Sequence, residues 1–395
     1  MENPKIRFKG YTKDWEQRKL GDMGSTFTGL SGKTKEDFGH GDAQFITYMN
    51  VFSNPVANIE MTEAVEIDAK QNRVKKGDVF FTTSSETPEE VGMSCVMPEN
   101  KDNIYLNSFC FGYRPTEKFD LDYLAYVLRA DSFRKEMKFL AQGISRYNIS
   151  KNKVMEVSIP IPNLEEQTMV GRYFSTLDHL ITLHQRKCEQ TKKLKKYMLQ
   201  KMFPQNGAKV PEIRFDGFTY DWEQRKLSEL LEKYEDPVET PHDGYERVGI
   251  RSHAKGTFHS FVEPGKELDT AKMYRVAADK FILNITFAWE HAVAITDNND
   301  AGKLVSHRFP QFSFNPKLKP HFFKYLMLDK KFREHLELSS PGGAGRNRVL
   351  KISDMLKYEI KLPSIEEQIK IGEYFDSLDH LITLHQRKCD ELKKM

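Results

Sequence analysis

Two stretches of the sequence occur twice, and this duplication restricts the fold more than any other feature. Pro4–Met23 returns as Pro211–Leu230 at an offset of 207 residues, and Ile159–Cys188 returns as Ile360–Cys389 at an offset of 201. Twelve consecutive residues of the second repeat, LDHLITLHQRKC, are identical in both copies. Between the repeats the two halves differ in length and in most residues. Each half is therefore a variable block between constant ends.

The variable blocks share a faint outline that predicts an α+β fold. Each contains a β-rich run, Lys76–Phe81 and Ala277–Asn284, and later a run with apolar residues at helical spacing, Tyr123–Leu140 and His321–Leu338. We predict strands for the first pair and helices packed on a sheet for the second. The predicted domains are two similar recognition blocks with small mixed sheets, each followed by a spacer helix: 1–160, 161–205, 206–361 and 362–395.

The constant segments that follow the blocks predict two long helices. Asn163 with Glu166, and Ser364 with Glu367, have the spacing of a capping box. From each start, apolar residues alternate in steps of four and three, which is typical of a coiled-coil seam. The first helix would be about 55 Å long. The seam residues are Val170, Phe174, Leu177, Ile181 and His184, with Ile371, Phe375, Leu378, Ile382 and His385.

Each predicted helix also carries a histidine and a cysteine four residues apart. His184 and Cys188, with His385 and Cys389, could together offer the four ligands of a tetrahedral zinc site. Polar residues in a seam more often fix the register of the helices. We therefore predict no metal site. The four cysteines form no CxxC pair, which argues against a disulfide framework.

Paired loops in the two blocks are candidates for contact with DNA. Turns rich in Arg and Asn, the side chains that pair with guanine and adenine edges, follow the predicted helix in both blocks. Polar and aromatic loops follow the matched strands. Each loop has the alternative interpretation of a solvated turn. The candidates are Thr82, Thr83, Ser84, Ser85, Arg146, Tyr147, Asn148 and Lys151 in the first block, and Asn284, Thr286, Trp289, His291, Arg346, Asn347, Arg348 and Lys351 in the second.

Several other classes of protein are disfavoured. The glycine clusters lack the spacing of a nucleotide-binding loop, and no cluster of carboxylates with a lysine repeats between the halves, so we predict no catalytic residues. The sequence shows no secretory signal and no apolar run long enough to span a membrane, so we expect a cytoplasmic protein. The net charge of +3 neither requires nor excludes nucleic acid.

The whole chain resembles the specificity subunit of type I restriction-modification systems. The resemblance rests on the openings Trp15–Gly21 and Trp222–Ser228, on the P-x-x-EEQ motifs at Pro162–Gln167 and Pro363–Gln368, and on LDHLITLHQRK. It implies two target-recognition domains that each read half of a bipartite site in double-stranded DNA, with the two long helices paired between them as an antiparallel coiled coil in a pseudo-twofold arrangement. It also implies two modification subunits that methylate adenine with S-adenosylmethionine, and two restriction subunits that use ATP and Mg²⁺, with no cofactor in this chain.

A bilobed scaffold that gathers other proteins without reading DNA is the alternative. The divergence between the blocks favours DNA recognition, because an adaptor for two identical partners gains nothing from different loops.

Overall fold

A computed structural model describes residues 4–205, 207–268, 272–342 and 348–395. Contacts divide the chain into two compact units, residues 1–182 and 183–395. The dividing point lies inside a long helix, so each half of that helix packs with the unit on its own side. Among the described helices, none combines the length and hydropathy that a membrane span requires.

The first unit is a mixed α+β structure. Its strands are β1 (Glu16–Lys19), β2 (Gly24–Thr28), β3 (Phe38–Ile46), β4 (Thr62–Val65), β5 (Val79–Thr82), β6 (Ser84–Ser85), β7 (Ser94–Val96), β8 (Ile104–Leu106), β9 (Cys110–Pro115), β10 (Tyr147–Asn148) and β11 (Ser158–Ile161). Its helices are α1 (Tyr48–Ser53), α2 (Leu121–Val127), α3 (Asp131–Leu140), α4 (Lys151–Met155) and the first half of α5 (Leu164–Lys201).

The second unit begins with the other half of α5. Its strands are β12 (Glu223–Lys226), β13 (Leu231–Tyr234), β14 (Pro237–Glu239), β15 (Tyr245–Ile250), β16 (Thr257–Val262), β17 (Lys272–Arg275), β18 (Phe281–Leu283), β19 (Val293–Ile295), β20 (Leu304–Val305), β21 (Gln311–Phe314) and β22 (Glu359–Leu362). Its further helices are α6 (Pro320–Leu326), α7 (Lys330–Leu338), α8 (Ile352–Met355) and α9 (Ile365–Leu392).

One antiparallel sheet has the same strand order in both units. The order is β2-β9-β5-β7 in the first and β13-β21-β18-β19 in the second. Strands β5 and β18 occupy the same place in it, which confirms the two matched strands predicted from the sequence. All residues of both strands are buried, as expected for strands covered on both faces.

The second sheet differs between the units. It has the order β4-β3-β8 in the first and β14-β17-β20-β15-β16 in the second. The two units therefore share the sheet that carries β5 and β18 and differ in the number and order of strands in the second sheet.

The prediction of one helix in each of the ranges 123–140 and 321–338 is wrong in one respect. Both runs are helical, but each breaks into two helices, α2 with α3 and α6 with α7. The break precedes Asp131 in the first unit and falls at Asp329 in the second, and Asp favours the N-terminus of a helix over its interior. Apolar spacing continues across the break, so periodicity alone cannot reveal it.

A buried ion pair joins the beginning and the end of each block. In the first unit the Arg7 guanidinium donates to both carboxylate oxygens of Glu166, at 2.6 and 2.8 Å. In the second unit Arg214 binds Glu367 in the same two-pronged way, at 2.7 and 2.8 Å. Both glutamate side chains are only 1% exposed. The carboxylate also raises the pKa of Arg214 above its ordinary value.

The P-x-x-EEQ motif is explained by these contacts. Asn163 and Ser364 accept from the backbone N–H of Glu166 and Glu367, at 2.9 and 3.3 Å, so the predicted N-terminal caps are present. The glutamate side chain binds the arginine. The following glutamine, Gln167 in the first unit, accepts from the backbone N–H of Asp120 and donates to the carbonyl of Pro162. The motif therefore fastens the start of the long helix to the block before it.

Short two-stranded ribbons reinforce the same junction. Strand β1 pairs antiparallel with β11, and β12 pairs antiparallel with β22, through the repeated EQRK sequence. Trp15 packs edge-on against Tyr123 in the first unit, and Trp222 is buried against Phe203 and Phe322 in the second. The constant ends are thus the frame of each unit.

The two long helices are present at the predicted places. Helix α5 has 38 residues, about 57 Å at 1.5 Å per residue, and α9 has 28. Within the second unit, the second half of α5 runs antiparallel to α9. The contacts that show this direction pair His184 with His385, Cys188 with Gln386, Lys195 with Asp379, and Phe203 with Phe375.

Burial along the predicted seam is uneven. Ile371, Phe375 and Leu378 are buried, and Ile382 and His385 are partly buried. On α5, Val170 packs against the core of the first unit, while Phe174 packs on Tyr126 but remains 39% exposed. Leu177, Ile181 and His184 are partly buried.

The buried ion pair predicts the effect of removing one partner. Glu367→Ala should lower the free energy of unfolding by about 1.5–3 kcal/mol, because the partly buried Arg214 loses both of its charge-assisted hydrogen bonds. The matched control is Glu117→Ala, which breaks the surface pair of Glu117 with Arg18 and should cost at most about 1 kcal/mol. Urea unfolding of both variants gives the comparison, and equal losses would contradict a special role for the buried pair.

A glycine on α5 predicts a second difference in stability. A Cβ on Gly171 would lie 2.5 Å from the backbone nitrogen of Tyr123 and 2.6 Å from Asp120 Oδ1, whereas one on Gly372 would first meet His321 Cβ, at 3.0 Å. We expect Gly171→Ala to destabilise the chain by about 1–3 kcal/mol. Gly372→Ala should be close to neutral, because better helix propensity offsets the milder contact. Thermal unfolding of the two variants tests the order.

Candidate nucleic-acid interface

The two candidate loops of the first unit meet beyond the end of β5. Strand β6 pairs antiparallel with β10, so Tyr147 faces Ser85 and Asn148 faces Ser84. The backbone N–H of Ile149 also donates to the carbonyl of Thr83 at 3.0 Å. Residues that lie more than 60 positions apart in the sequence thus form one continuous surface.

Three of the polar candidates in this unit do not face solvent. Thr82, Ser84 and Ser85 are all buried. Thr82 Oγ1 accepts from the backbone N–H of Met93 at 3.0 Å, and Ser85 Oγ donates to Glu90 Oε2 at 3.1 Å. The prediction that these side chains touch DNA is corrected by their burial, and Thr82 and Ser85 instead bind groups of the segment between β6 and β7.

The remaining candidates of the first unit are accessible. Arg146, Asn148 and Lys151 are exposed, and Thr83 and Tyr147 are partly so. Lys151 is the first residue of α4, a short helix between the turn and β11 that the sequence did not reveal. The surface therefore offers guanidinium, amide, ammonium and phenol groups on a short, hydrogen-bonded pair of strands.

Two arginines near this surface, one between α2 and α3 and one in α3, bind backbone carbonyl groups. Arg129 donates to the carbonyls of Val51, Phe52, Asn54 and Ser94, at 2.7 to 3.1 Å. Arg134 donates to the carbonyls of Glu89, Val91 and Gly92. Burial lowers the pKa of Arg129 to about 10. Arg129 thus binds backbone oxygens in and just after α1 and in β7, and Arg134 binds those of the loop between β6 and β7, so the two cations stabilise the segments around the sheet.

The candidate loops of the second unit meet in the same way. The backbone N–H of Leu350 donates to the carbonyl of Ile285 at 2.9 Å, which matches the bond between Ile149 and Thr83. The Arg348 guanidinium lies over the Trp289 ring at 5.4 Å, and Trp289 Nε1 donates to the carbonyl of Thr286 at 3.1 Å. Arg348 also lies 3.4 Å from the carboxylate of Glu337. The equivalent surface thus carries an arginine on an aromatic platform.

The structure changes the interpretation of His291. Its side chain is buried, with Nε2 2.9 Å from the carbonyl of Met327 and the ring against Phe332. Burial also lowers its pKa, which favours the neutral ring. His291 therefore ties the loop to the end of α6 and is not available to DNA.

The remaining candidates of this unit differ in their exposure and in their hydrogen bonds. Asn284 Oδ1 accepts from the N–H and the hydroxyl of Thr286, so both side chains are engaged in the turn but remain partly exposed. Lys351 is exposed and its backbone N–H binds the carbonyl of Ser339. Arg346 and Asn347 lie outside the described residues.

In each unit a further segment, the one before β9 or β21, adjoins the two candidate loops. No pattern in the sequence indicated it. The carbonyl of Phe109, just before β9, accepts from the backbone N–H and the hydroxyl of Thr83, at 3.0 and 2.8 Å. The carbonyl of Arg308, before β21, accepts from the backbone N–H of Ile285 at 3.0 Å. The two segments have no common motif, so only the register of the strands reveals their equivalence.

The histidines of the long helices form a pair within the second unit. The Nδ1 atoms of His184 and His385 are 3.0 Å apart, and Cys188 Sγ lies 3.7 Å from the side-chain oxygen of Gln386. Desolvation lowers the pKa of His385, and the nearby His184 and Lys187 add to the shift. Across the described parts of the chain, no group of three or more His, Cys, Asp and Glu residues is arranged to hold a metal ion.

Comparison with known proteins connects this geometry to one family. The model of the type I restriction modification DNA specificity domain matches residues 12–193 and 220–394. The putative type I restriction enzyme MjaX specificity subunit of Methanocaldococcus jannaschii is 27% identical over 406 aligned positions, covering 96% of this chain and 90% of that one.

Solved structures show a similar fold. The crystal structure of the S subunit of the type I restriction-modification system from M. genitalium matches with a TM-score of 0.57 and 14% identity, over 99% of this chain and 96% of that one. A chain solved in work on complex assembly and conformational transition of the type I system matches with a TM-score of 0.50 and 17% identity, over 97% and 95%.

The burial of Thr82 predicts a structural effect for its substitution. Thr82→Val should cost about 1–2 kcal/mol of stability, because the backbone N–H of Met93 loses its acceptor. Its affinity for double-stranded DNA should stay unchanged once folding is complete. Thr82→Ser keeps the hydroxyl and is the control. Urea unfolding and a DNA titration measure the two effects, and a folded Thr82→Val chain with weakened DNA affinity would restore Thr82 as a contact.

Proposed function

The chain belongs to the family of type I restriction modification DNA specificity domains, and we propose that it is the subunit that selects the DNA target of a type I restriction-modification complex. Each unit reads one half of a bipartite sequence in double-stranded DNA. The relatives named above are specificity subunits, and their names support this role.

One observation carries the proposal. Both units have the same sheet, the same ion-paired frame and the same hydrogen bond between the two candidate loops, yet the side chains that these loops expose differ. A pair of equivalent surfaces with different chemistry is what an asymmetric two-part target requires. Arg146 and Asn148 lie on one surface and Arg348 and Lys351 on the other, and these residue types bind base edges and phosphates.

Affinity for DNA comes from local cations and from partner subunits. The chain has 60 basic and 57 acidic residues, so no strong overall field draws it to DNA. Exposed Lys and Arg beside the candidate loops supply the phosphate contacts of the chain itself. Two modification subunits and two restriction subunits supply the remaining contacts with the duplex.

The chemistry of the complex resides in those partners. In this proposal the modification subunits bind S-adenosylmethionine and methylate adenine, and the restriction subunits use ATP and Mg²⁺ to move along and cut DNA. This chain contributes target selection and no catalytic residue.

Substitution of Arg146 tests the assignment of the first unit. Arg146→Ala should weaken binding to the cognate duplex by about 1–3 kcal/mol, or relax one position of one half-site, with the other half-site unchanged. Arg18→Ala is the matched control, because Arg18 pairs with Glu117 beyond the far end of β9. Mapping of methylated adenines in cells that express each variant with the modification subunit gives the readout.

The outcome separates DNA recognition from the scaffold alternative. A scaffold predicts that the complex methylates the same sites with Arg146→Ala as with the unaltered chain, and that the bipartite duplex is displaced by competitor DNA. Either result would overturn the proposal.

A further inference from the structure

An exposed residue shortly before β9 in the first unit and one shortly before β21 in the second occupy the same structural position. In the first unit Val79 pairs with Tyr113, and four positions along this register Thr83 binds the carbonyl of Phe109. In the second unit Phe281 pairs with Phe312, and the loop after β18 binds the carbonyl of Arg308. Counting along these registers places Phe109 and Arg308 at equivalent sites.

Both residues are anchored through the residue two positions before them. The backbone N–H of Phe109 donates to Asn107 Oδ1 at 2.9 Å, and Asn107 is buried, with its amide bound to the carbonyl of Ile46 at 3.0 Å. The backbone N–H of Arg308 lies 3.4 Å from the hydroxyl of Ser306, which is also buried. A fixed backbone therefore presents each side chain at the edge of the candidate interface.

The side chains themselves face solvent. Phe109 is 58% exposed, which leaves a large apolar ring in water beside polar loops, and Arg308 is exposed as well. Arg308 forms no side-chain hydrogen bond or ion pair within the described residues, so its five donors are available. Neither side chain contributes to the cores of the units.

The chemistry of the two side chains differs in the way that two different half-sites require. A phenyl ring has no donor or acceptor for a base edge, but it contacts a thymine methyl group or inserts between base steps. A guanidinium donates two hydrogen bonds to O6 and N7 of guanine. The exchange of one for the other at an equivalent position changes which base is favoured.

We infer that Phe109 and Arg308 are specificity-determining residues, the first through apolar contact with a base of one half-site and the second through hydrogen bonds to a guanine of the other. The inference rests on the proposed function, since it assumes that both units read DNA. It adds the segment before β9 or β21 to the two loops that the sequence indicated in each unit.

Single substitutions in the full chain, bound to its modification subunits, test the inference. Phe109→Ala should lower affinity for the cognate duplex roughly 5- to 100-fold or degrade one half-site, and Arg308→Ala should do so only for the other half-site. Each variant is the control for the other. Phe109→Leu keeps an apolar side chain and should have the smaller effect. Thermal unfolding of each variant verifies that the units remain folded.

An exchange of residue type gives a sharper readout. Phe109→Arg should introduce or strengthen a preference for guanine at one position of the half-site read by the first unit, as seen in a map of methylated adenines. Unchanged half-sites for folded Phe109→Ala, Phe109→Arg and Arg308→Ala would overturn the inference. If Arg146→Ala alters a half-site in the same assay, the proposed function stands and only the role of this position fails. If no variant alters either half-site, both fail.

Discussion

The buried arginine–glutamate pair is the interaction on which the rest of each unit depends. It joins residues 159 positions apart in the first unit and 153 apart in the second. A carboxylate with 1% exposure must be compensated, and the two-pronged guanidinium compensates both of its oxygens. The start of the block and the start of the long helix are therefore held at one point. The ribbons β1–β11 and β12–β22 form at the same junction, and every variable residue lies between these fixed ends.

This arrangement explains how one surface of each unit can vary. The sheet shared by the two units ends in loops that the frame does not use, and Thr82 and Arg134 bind the backbone of the segment that leads into β7. Side chains on the outer side of the loops are then free to differ without cost to the fold. Arg146 in one unit and Arg348 in the other occur on loops with the same backbone contacts but different neighbours.

The sequence predicts the frame well because duplication and capping are local signals. The starts of α5 and α9, their lengths and the matched strands β5 and β18 follow from spacing within short segments. Burial and register depend on residues far away in the chain. For this reason the burial of the DNA-contact candidates His291, Ser84 and Ser85 does not follow from the sequence, and the breaks at Asp131 and Asp329 are missed. Phe109 and Arg308 share no motif, and only the pairing of β5 with β9 and of β18 with β21 makes them equivalent.

The presence of the same arginine–glutamate pair at both junctions has a consequence for the evolution of the chain. Because the ends of each block are fastened by identical chemistry, the block between them can gain or lose strands, as the difference between the sheets β4-β3-β8 and β14-β17-β20-β15-β16 shows. A block transferred from one position to the other would join the same arginine, the same glutamate and the same two-stranded ribbon. The two halves therefore behave as interchangeable cassettes, and recombination between the repeats would create a new target specificity in one step without redesign of the fold.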